Sequence, residues 1–273
     1  MTAGEAIRAA AGTLAPVSDT AQLDAELLMA HLFGTTRSEM LLRHMRDPAP
    51  PGYAALVERR AGHEPVAYIT GRQEFYGLPL IVTPATLIPR GDSETLVEAA
   101  LAVRPDAARI ADLGTGSGAL LLAVLACMGK AEGVGIDRSE AALEVARTNA
   151  ETLGLRPQAR FVAADWHAGG WADSLGSFDL ILCNPPYVEA DAVLDPDVRD
   201  HEPASALFAG PEGLDDYRVI IPQLRGLMNP NAVAILEIGA TQAEAVSALA
   251  AAAGFAVELR RDLAGRPRAL VLA

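Results

Sequence analysis

Seven short apolar runs alternate with segments of helical periodicity over most of the chain. The runs lie at residues 109–113, 133–136, 160–163, 179–183, 232–237, 255–259 and 269–272. The predicted helices lie at residues 93–103, 117–129, 139–153, 215–228 and 241–253. This alternation predicts strands joined by crossover helices, because neighbouring parallel strands need such connections and are covered on both faces.

The last two apolar runs are connected differently. Only Arg260 to Arg268 lies between them, which is too short for a crossover helix, so we expect an antiparallel hairpin at one edge of the sheet. The predicted fold class is therefore α/β, with a doubly wound, seven-stranded, mostly parallel sheet that has an antiparallel C-terminal hairpin.

The residues before this region have a different pattern. A helical spacing of three and four is formed by Leu23, Leu27, Leu28, His31 and Leu32, with Asp19 or Thr20 as a predicted helix N-cap and Gly34 as its end. A further short helix is predicted at 53–61. Residues 66–90 are richer in aromatic and β-branched side chains and read as a β-hairpin. The predicted organisation is a small all-α domain at 1–65, a β-hairpin linker at 66–90 and the α/β domain at 91–273.

Charge and cysteine content limit the classes of function. The 22 Lys and Arg against 35 Asp and Glu give a net charge of −13, which opposes binding to duplex nucleic acid. Cys127 and Cys183 both fall in apolar runs, so we expect buried thiols in a reducing compartment and no disulfide. We expect no metal site, because no CxxC or HExxH spacing occurs. The longest apolar stretch, residues 119–128, is too short to cross a bilayer, so the expected location is cytoplasmic, without membrane contact.

A glycine-rich turn follows the first of the seven runs. Gly114, Gly116 and Gly118 would let the backbone turn tightly between a strand and a helix and approach a ligand. Asp137 ends the next run, where its carboxylate is placed to accept hydrogen bonds from both hydroxyls of a ribose. The pattern predicts a site for an adenosine-containing ligand.

The same turn is compatible with NAD or with S-adenosylmethionine. The glycine spacing is G-x-G-x-G, whereas the pyrophosphate fingerprint requires G-x-G-x-x-G. Asp112 precedes the turn, and a carboxylate there suits a cationic ligand with an amino group better than a diphosphate. S-adenosylmethionine is therefore favoured, although Asp112 is also compatible with a contact that only holds the loop.

Asp165 and Trp166 follow the third run. Asp165 is placed to accept the adenine amino group and Trp166 to pack on the adenine ring. The alternative for Trp166 is a structural indole at the rim of the sheet.

Asn184, Pro185, Pro186 and Tyr187 directly follow the fourth run, at residues 178–183. Proline has no backbone N–H, so the chain leaves the sheet here in a rigid turn with free carbonyls. An asparagine oxygen and a proline carbonyl can accept both N–H bonds of a planar amide or aromatic amine, and Tyr187 could lie against its flat face. A loop that only ends a strand is the alternative interpretation.

Taken in this order, these motifs resemble the class I S-adenosylmethionine-dependent methyltransferases. The chain most resembles the release factor glutamine methyltransferases, and the resemblance covers essentially its whole length. The segments that carry it beyond the motifs above are 63–71, 74–76, 87–90, 92–94, 197–199, 202–203, 236–239 and 262–266. Gly91 departs from the family, which often has proline there.

The resemblance implies transfer of a methyl group to the side-chain amide nitrogen (N5) of the glutamine in the Gly-Gly-Gln motif of class-1 peptide chain release factors. It implies S-adenosyl-L-methionine as cofactor, S-adenosyl-L-homocysteine as product, and a release factor as the partner of a monomeric enzyme. The implied cofactor residues are Asp112, Gly114, Thr115, Gly116, Ser117, Gly118, Asp137, Asp165, Trp166 and Asn184. The implied substrate residues are Asn184, Pro185, Pro186 and Tyr187, of which Asn184, Pro185 and Tyr187 are the catalytic ones.

Three alternatives stay open at this point. One is methylation of a glutamine in a ribosomal protein, from which the N-terminal region and hairpin distinguish the chain. Another is an adenine N6 methyltransferase acting on nucleic acid, because similar tetrapeptides hold flipped-out bases, but the net charge of −13 counts against it. The third is a protein that binds S-adenosylmethionine without catalysis, which the intact tetrapeptide disfavours.

Overall fold

The computed structural model describes residues 1–273, which form two compact units. The first unit comprises residues 1–72 together with 194–201, and the second comprises 73–193 together with 202–273. The helices are α1 (Ala3–Leu14), α2 (Ala21–Phe33), α3 (Arg37–Arg43), α4 (Tyr53–Ala61), α5 (Val66–Thr70), α6 (Glu94–Val103), α7 (Ala119–Met128), α8 (Glu140–Thr152), α9 (Pro196–His201), α10 (Asp215–Leu227) and α11 (Ala243–Ala252). The strands are β1 (Arg72–Phe75), β2 (Leu78–Ile81), β3 (Arg109–Leu113), β4 (Glu132–Asp137), β5 (Ala159–Ala163), β6 (Phe178–Cys183), β7 (Met228–Glu237), β8 (Val257–Arg261) and β9 (Pro267–Leu272). None of the helices combines the length and the apolar character needed to span a membrane.

The first unit is a helical bundle around an apolar core. Helix α1 begins with a capping box, in which the Thr2 hydroxyl accepts from the Glu5 amide at 3.3 Å and the Glu5 carboxylate accepts from the Thr2 amide at 2.9 Å. Helix α2 ends at Gly34, whose φ of 65° is the left-handed conformation that glycine adopts without steric cost. The largest fully buried side chains of this core are Ile7, Leu14, Leu28, Met29 and Met40.

A buried ionic group joins three parts of the first unit. Arg60 on α4 lies 2.7 Å from the Asp24 carboxylate on α2 and 2.8 Å from the Asp197 carboxylate on α9. The Arg60 and Asp24 side chains are only 6% and 8% exposed. His63 also contacts Asp197 at 3.0 Å. The ionic contacts of Asp197 therefore connect residues 194–201 to parts of the first unit that come much earlier in the chain.

The second unit is built on a seven-stranded sheet in the order β5-β4-β3-β6-β7-β9-β8. Strands β3 to β7 pair in parallel, and β9 is antiparallel to both β7 and β8. Alternate residues of the central strands enter two different cores: Ile110 of β3 packs with helices α6 to α8, while Ala111 packs with α10 and α11. The predicted doubly wound, mostly parallel sheet with an antiparallel C-terminal hairpin is confirmed.

Two sequence-based expectations are wrong. Val66–Thr70 was expected to belong to the hairpin but forms α5, because Pro65 precedes the helix, the Ile69 amide donates to the Pro65 carbonyl, and Gly71 ends it at a φ of 72°. The hairpin itself is confined to β1 and β2. Cys183 is buried as expected, but Cys127 is exposed, because it lies on the outer side of α7 near its end. Thr20 does occupy the N-cap position of α2, yet its side chain makes no capping hydrogen bond.

Candidate active site

A cavity of about 320 Å³ lies at the carboxyl ends of β3, β4, β5 and β6 in the second unit. One wall consists of the ends of these strands and the segments that follow them, and it contains most of the predicted cofactor residues: Asp112, Gly114, Thr115, Gly116, Ser117, Asp137, Asp165 and Trp166. The predicted residue Gly118 lies outside the lining. The opposite wall consists of Phe75, Ala85, Thr86, Leu87, Pro89, Arg90, Ser93, Pro203, Ser205 and Ala206. Ligands of open α/β sheets bind at this edge, and the cavity is within the size range of small-molecule sites.

The glycine loop between β3 and α7 uses most of its own amides. The N–H groups of Gly114 and Thr115 both donate to the Ile136 carbonyl, and that of Gly118 donates to the Thr115 carbonyl. Gly116 donates to Asp137. Gly116 has a φ of 54° and no atom within 4 Å of where a Cβ would stand, so the backbone lies open to the cavity there. A diphosphate needs free amides at a helix N-terminus, and this loop has few to offer.

Asp137 ends β4 and holds the loop in place. Its Oδ2 accepts from the Gly116 amide at 2.9 Å, and its Oδ1 accepts from the Ser139 amide at 2.9 Å. Each carboxylate oxygen has a second lone pair, so both can still accept from a ligand hydroxyl. The loop-anchoring role considered for Asp112 thus belongs chiefly to Asp137.

Asp112, near the end of β3, is 1% exposed and lines the cavity. Its Oδ2 accepts from the Thr115 hydroxyl at 2.6 Å, while its Oδ1 is buried without a hydrogen-bond partner. Burial raises the pKa of Asp112 to about 7, although hydrogen bonds from the Thr115 hydroxyl and the Leu121 amide oppose this. An unpartnered buried carboxylate oxygen on a cavity wall is a site for a cationic or hydrogen-bonding group.

Trp166 and Asp165 follow β5 and both line the cavity. The Trp166 ring lies against the glycine loop, since a Cβ on Gly114 would come within 3.2 Å of its Cη2. Its indole N–H donates to Asp216 of α10 at 2.7 Å. Asp165 Oδ1 accepts from the His167 amide at 2.9 Å, and this hydrogen bond lowers the pKa of Asp165. Trp166 therefore has both a structural hydrogen bond and a face on the cavity.

Only two of the four residues of the Asn184–Tyr187 turn line the cavity. Asn184 and Pro186 line the cavity, and the Asn184 side chain makes no hydrogen bond within the chain. Pro185 is buried behind them. Tyr187 does not line the cavity; its hydroxyl donates to Glu237 Oε1 at 3.3 Å, and burial raises its pKa. The structure thus brings Asn184 to the glycine loop, Asp112, Asp137 and Trp166, while Pro185 and Tyr187 lie outside the lining.

Two residues that hold the site escaped the sequence analysis. Asn149 of α8 is fully buried; its amide donates to the Ser117 carbonyl and to the Ile81 carbonyl, each at 2.9 Å. Glu202 accepts from the Ile88 amide at 3.0 Å and pairs with Arg90, so it joins the two segments of the opposite wall. A buried polar residue within an amphipathic helix was the available signal for Asn149. The segment that contains Glu202 was noted only for its resemblance.

The lining fits S-adenosylmethionine better than a dinucleotide. Asp112 Oδ1 can accept from the amino group of the methionine part, Asp137 from the ribose hydroxyls, and the open backbone at Gly116 leaves room for the ligand. Most amides that would bind a diphosphate are already used within the loop.

Known proteins resemble the chain in both sequence and fold. A family model described as the PrmC N-terminal domain matches residues 5–71, and one described as a methyltransferase domain matches residues 105–251. The release factor glutamine methyltransferase of Bradyrhizobium diazoefficiens is 42% identical over 98% of this chain and 94% of its own length. That of Cereibacter sphaeroides is 42% identical over 98% and 97%, and that of Caulobacter vibrioides 40% identical over 93% and 89%.

The fold has a counterpart among solved structures. The crystal structure of a methyltransferase from Pyrococcus furiosus superposes with a TM-score of 0.54 at 17% identity, covering 72% of this chain and 88% of that one. At this identity the similarity concerns the fold alone, and it confirms the predicted class I methyltransferase fold.

Proposed function

The chain belongs to the release factor glutamine methyltransferase family, and on that premise we propose that it methylates the side-chain amide nitrogen (N5) of the glutamine in the Gly-Gly-Gln motif of class-1 peptide chain release factors. The methyl donor in this proposal is S-adenosyl-L-methionine, and S-adenosyl-L-homocysteine is the product. The observation that carries the proposal is Asn184, a side-chain amide without a partner in the chain, on the wall of the cavity that fits this donor.

The donor residues follow from the lining. Asp112 would hold the amino group, Asp137 the ribose hydroxyls and Asp165 the adenine amino group, while Trp166 would cover the ligand beside the glycine loop at 114–118. When bound, S-adenosylmethionine supplies an electrophilic methyl group on a sulfonium. Three carboxylates in the lining, buried at Asp112 and half-buried at Asp137 and Asp165, also favour a ligand with positive charge.

The acceptor residues act by position. An amide nitrogen is a poor nucleophile, because its lone pair is delocalised into the carbonyl. Asn184 Oδ1 and the Pro185 carbonyl would accept its two N–H bonds and direct the lone pair towards the cavity, with Tyr187 fixing the plane of the amide. Both acceptors would also stabilise the positive charge that develops on nitrogen. Holding the reacting atoms in line can lower a barrier by roughly 7 to 11 kcal/mol, which makes positioning a sufficient main effect.

The N-terminal region has a different role in the proposal. We assign residues 1–65, with the hairpin region at 66–90, to recognition of the release factor away from the reacting glutamine, which would supply binding energy remote from the chemistry. The protein would act as a monomer in the cytoplasm, with neither nucleic acid nor membrane as a direct partner. The net charge of −13 supports the exclusion of nucleic acid.

The test is methyl transfer from labelled S-adenosylmethionine to a purified class-1 release factor. Parallel reactions contain the same factor with its Gly-Gly-Gln glutamine changed to alanine, a ribosomal protein preparation, and duplex DNA. We expect label on the intact factor alone. Label on ribosomal protein only, or on DNA only, would show that the proposed acceptor is wrong. Label on the alanine variant would show that a residue of the factor other than this glutamine is modified.

A further inference from the structure

Tyr187 is held at both its side chain and its main chain by residues to which no role has been given. Its hydroxyl donates to Glu237 Oε1 at 3.3 Å. Its carbonyl accepts from Gln242 Nε2 at 2.9 Å, and its amide donates to the Leu207 carbonyl at 3.1 Å. Main chain and ring are thus fixed independently, in the residue that closes the predicted acceptor turn.

Glu237 lies at the end of β7, immediately beside that turn. In the parallel pairing of β6 and β7, Cys183 is opposite Leu236, so the next residues on the two strands are Asn184 and Glu237. The Tyr217 hydroxyl donates to the Glu237 main-chain carbonyl at 2.7 Å and fixes the backbone there. The position of the carboxylate beside Tyr187 is therefore set by the sheet.

Burial of the Glu237 carboxylate has an unfavourable free energy. It is 2% exposed, and its Oε2 is buried without a hydrogen-bond partner. Burial raises its pKa, while hydrogen bonding from Ser93 and the charge of Arg268 oppose the rise. A well-packed apolar side chain is often at least as stable as a buried charge, so stability alone gives little reason for a carboxylate at this position.

We propose that Glu237 is a positioning residue for the methyl acceptor, which fixes the Tyr187 ring against which the planar amide lies. The inference rests on the proposed function, because it assumes that the turn from Asn184 to Tyr187 holds that amide. Glu237 touches neither substrate nor donor in this scheme and acts through the hydrogen bond that it accepts from the Tyr187 hydroxyl. An error of 1 Å in the position of a reacting group can cost about 100-fold in rate, so even a small ring displacement should be visible in kcat.

Full-length variants separate the function of the acceptor oxygen from that of the charge. Glu237→Leu removes the hydrogen-bond acceptor, whereas Glu237→Gln removes the charge but keeps an acceptor oxygen. Tyr187→Phe removes the donor and keeps the ring. Tyr217→Phe is the matched control, because it also removes a buried tyrosine hydroxyl bound to Glu237, but at the main-chain carbonyl.

For each variant kcat and KM are measured with the whole release factor, the dissociation constant of S-adenosylhomocysteine by calorimetry, and the unfolding temperature. We expect Glu237→Leu and Tyr187→Phe each to lower kcat by at least ~10-fold with little change in donor affinity. Glu237→Gln should retain most of kcat. Tyr217→Phe should lower the unfolding temperature but change kcat much less than Tyr187→Phe.

The double variant Tyr187→Phe with Glu237→Leu shows whether Glu237 acts through Tyr187 or independently of it. If Glu237 acts through Tyr187, the double variant is no slower than the slower single variant. Multiplicative losses, or Glu237→Gln as slow as Glu237→Leu, would overturn the inference. If Glu237→Leu does not fold, Glu237→Gln and Tyr187→Phe still give the comparison. A wild-type enzyme that leaves release factors unlabelled would contradict the proposed function instead, whatever the variants do.

Discussion

At the scale of single residues, two aspartates near the ends of neighbouring strands have different roles in the cavity wall. Asp137 uses one oxygen to fix the glycine loop and the other to fix the start of α8, at 2.9 Å from the Gly116 and Ser139 amides respectively. Asp112 is more deeply buried and keeps one oxygen unpartnered. Asp137 therefore stabilises the local backbone, whereas Asp112 presents a buried carboxylate oxygen that can still bind a group of the ligand.

The raised pKa of Asp112 predicts a pH dependence of donor affinity. Below about 7 the unbound enzyme keeps Asp112 largely neutral, and above it the ionised form, which attracts an ammonium group, predominates. The affinity for S-adenosylhomocysteine should therefore rise by at least ~5-fold between pH 5.5 and pH 7.5, measured by calorimetry. Asp112→Asn should bind more weakly at the higher pH and lose most of this slope. A wild-type affinity that is constant over the range would argue against contact between Asp112 and the amino group.

Asn184→Ala should separate binding from chemistry. The side chain is proposed to accept an N–H of the acceptor amide, so its loss should lower turnover at least ~100-fold, the scale for one transition-state hydrogen-bond partner, while donor affinity weakens only modestly. Asn229→Ala is the matched control: the same substitution at the start of β7, where Asn229 binds Asp179 and Ser177. Near-normal turnover of Asn184→Ala with the release factor would refute the positioning mechanism.

The site residues whose position is set locally could be predicted from the sequence. Asp112 lies near the end of an apolar run, Asp137 ends one and Asn184 follows one, so their place at the edge of the sheet follows from the strands. Asn149 and Glu202 depend on partners far away in the chain, Ile81 and Ile88, and no local pattern reveals those contacts. The hydrogen bond from the Tyr187 hydroxyl to Glu237 of β7 likewise has no signal in the local pattern.

At the scale of elements, the wall opposite the glycine loop is made of two loops held together by one carboxylate. Glu202 has a side chain only 1% exposed and binds both the Ile88 amide and Arg90. Arg138 donates to the Ser205 carbonyl at 3.1 Å from the other side. This wall has no regular secondary structure along most of its lining, so its order depends on these contacts.

Glu202→Ala should loosen that wall. Removal of the carboxylate leaves the Ile88 amide without its acceptor, which costs roughly 1 to 3 kcal/mol for a buried group. We expect faster amide hydrogen exchange at residues 86–90 and weaker binding of S-adenosylhomocysteine by ~10-fold. Glu98→Ala, on the exposed side of α6, is the control and should alter neither. Unchanged exchange at 86–90 in the Glu202 variant would show that other contacts suffice.

A helix or strand could be predicted where its sequence has a clear helical or strand pattern of apolar residues. All seven strands of the large sheet were predicted within a few residues, because all except the edge strand β8 are buried apolar runs. Helix α5 was missed since Val66, Tyr68, Ile69 and Thr70 are typical strand residues. The helix depends instead on Pro65 before it and Gly71 after it, and on the Ile69–Pro65 hydrogen bond.

At the scale of the whole molecule, the first unit is made from two separate parts of the chain. Residues 1–72 are completed by residues 194–201, which follow the Asn184–Tyr187 turn in sequence. The predicted boundary at residue 65 did not include this second part, because a six-residue helix with no buried residue gives no sequence signal for its partner. The contacts of Asp197 with Arg60 and His63 are what assign it.

Arg60→Met should destabilise the protein strongly. The substitution removes the one cation between Asp24 and Asp197, and loss of one partner of a buried ion pair costs about 3 to 5 kcal/mol. Urea unfolding measures this loss. Arg43→Met is the matched control, because Arg43 pairs with Glu39 at the surface with 72% of its side chain exposed, and such pairs contribute about 0 to 1 kcal/mol. Equal effects of the two substitutions would mean that the buried group adds little.

The two-part composition of the first unit also constrains the order of events during synthesis. A ribosome releases the chain from its N-terminus, and domains usually fold as they emerge. Helices α1 to α4 emerge first, but Arg60 meets Asp197 only after strands β1 to β6 have been made. Helices α1 to α4 are therefore made long before the segment that completes their unit, and the nascent chain carries Arg60 with only one of its two carboxylates until residues 194–201 have been made.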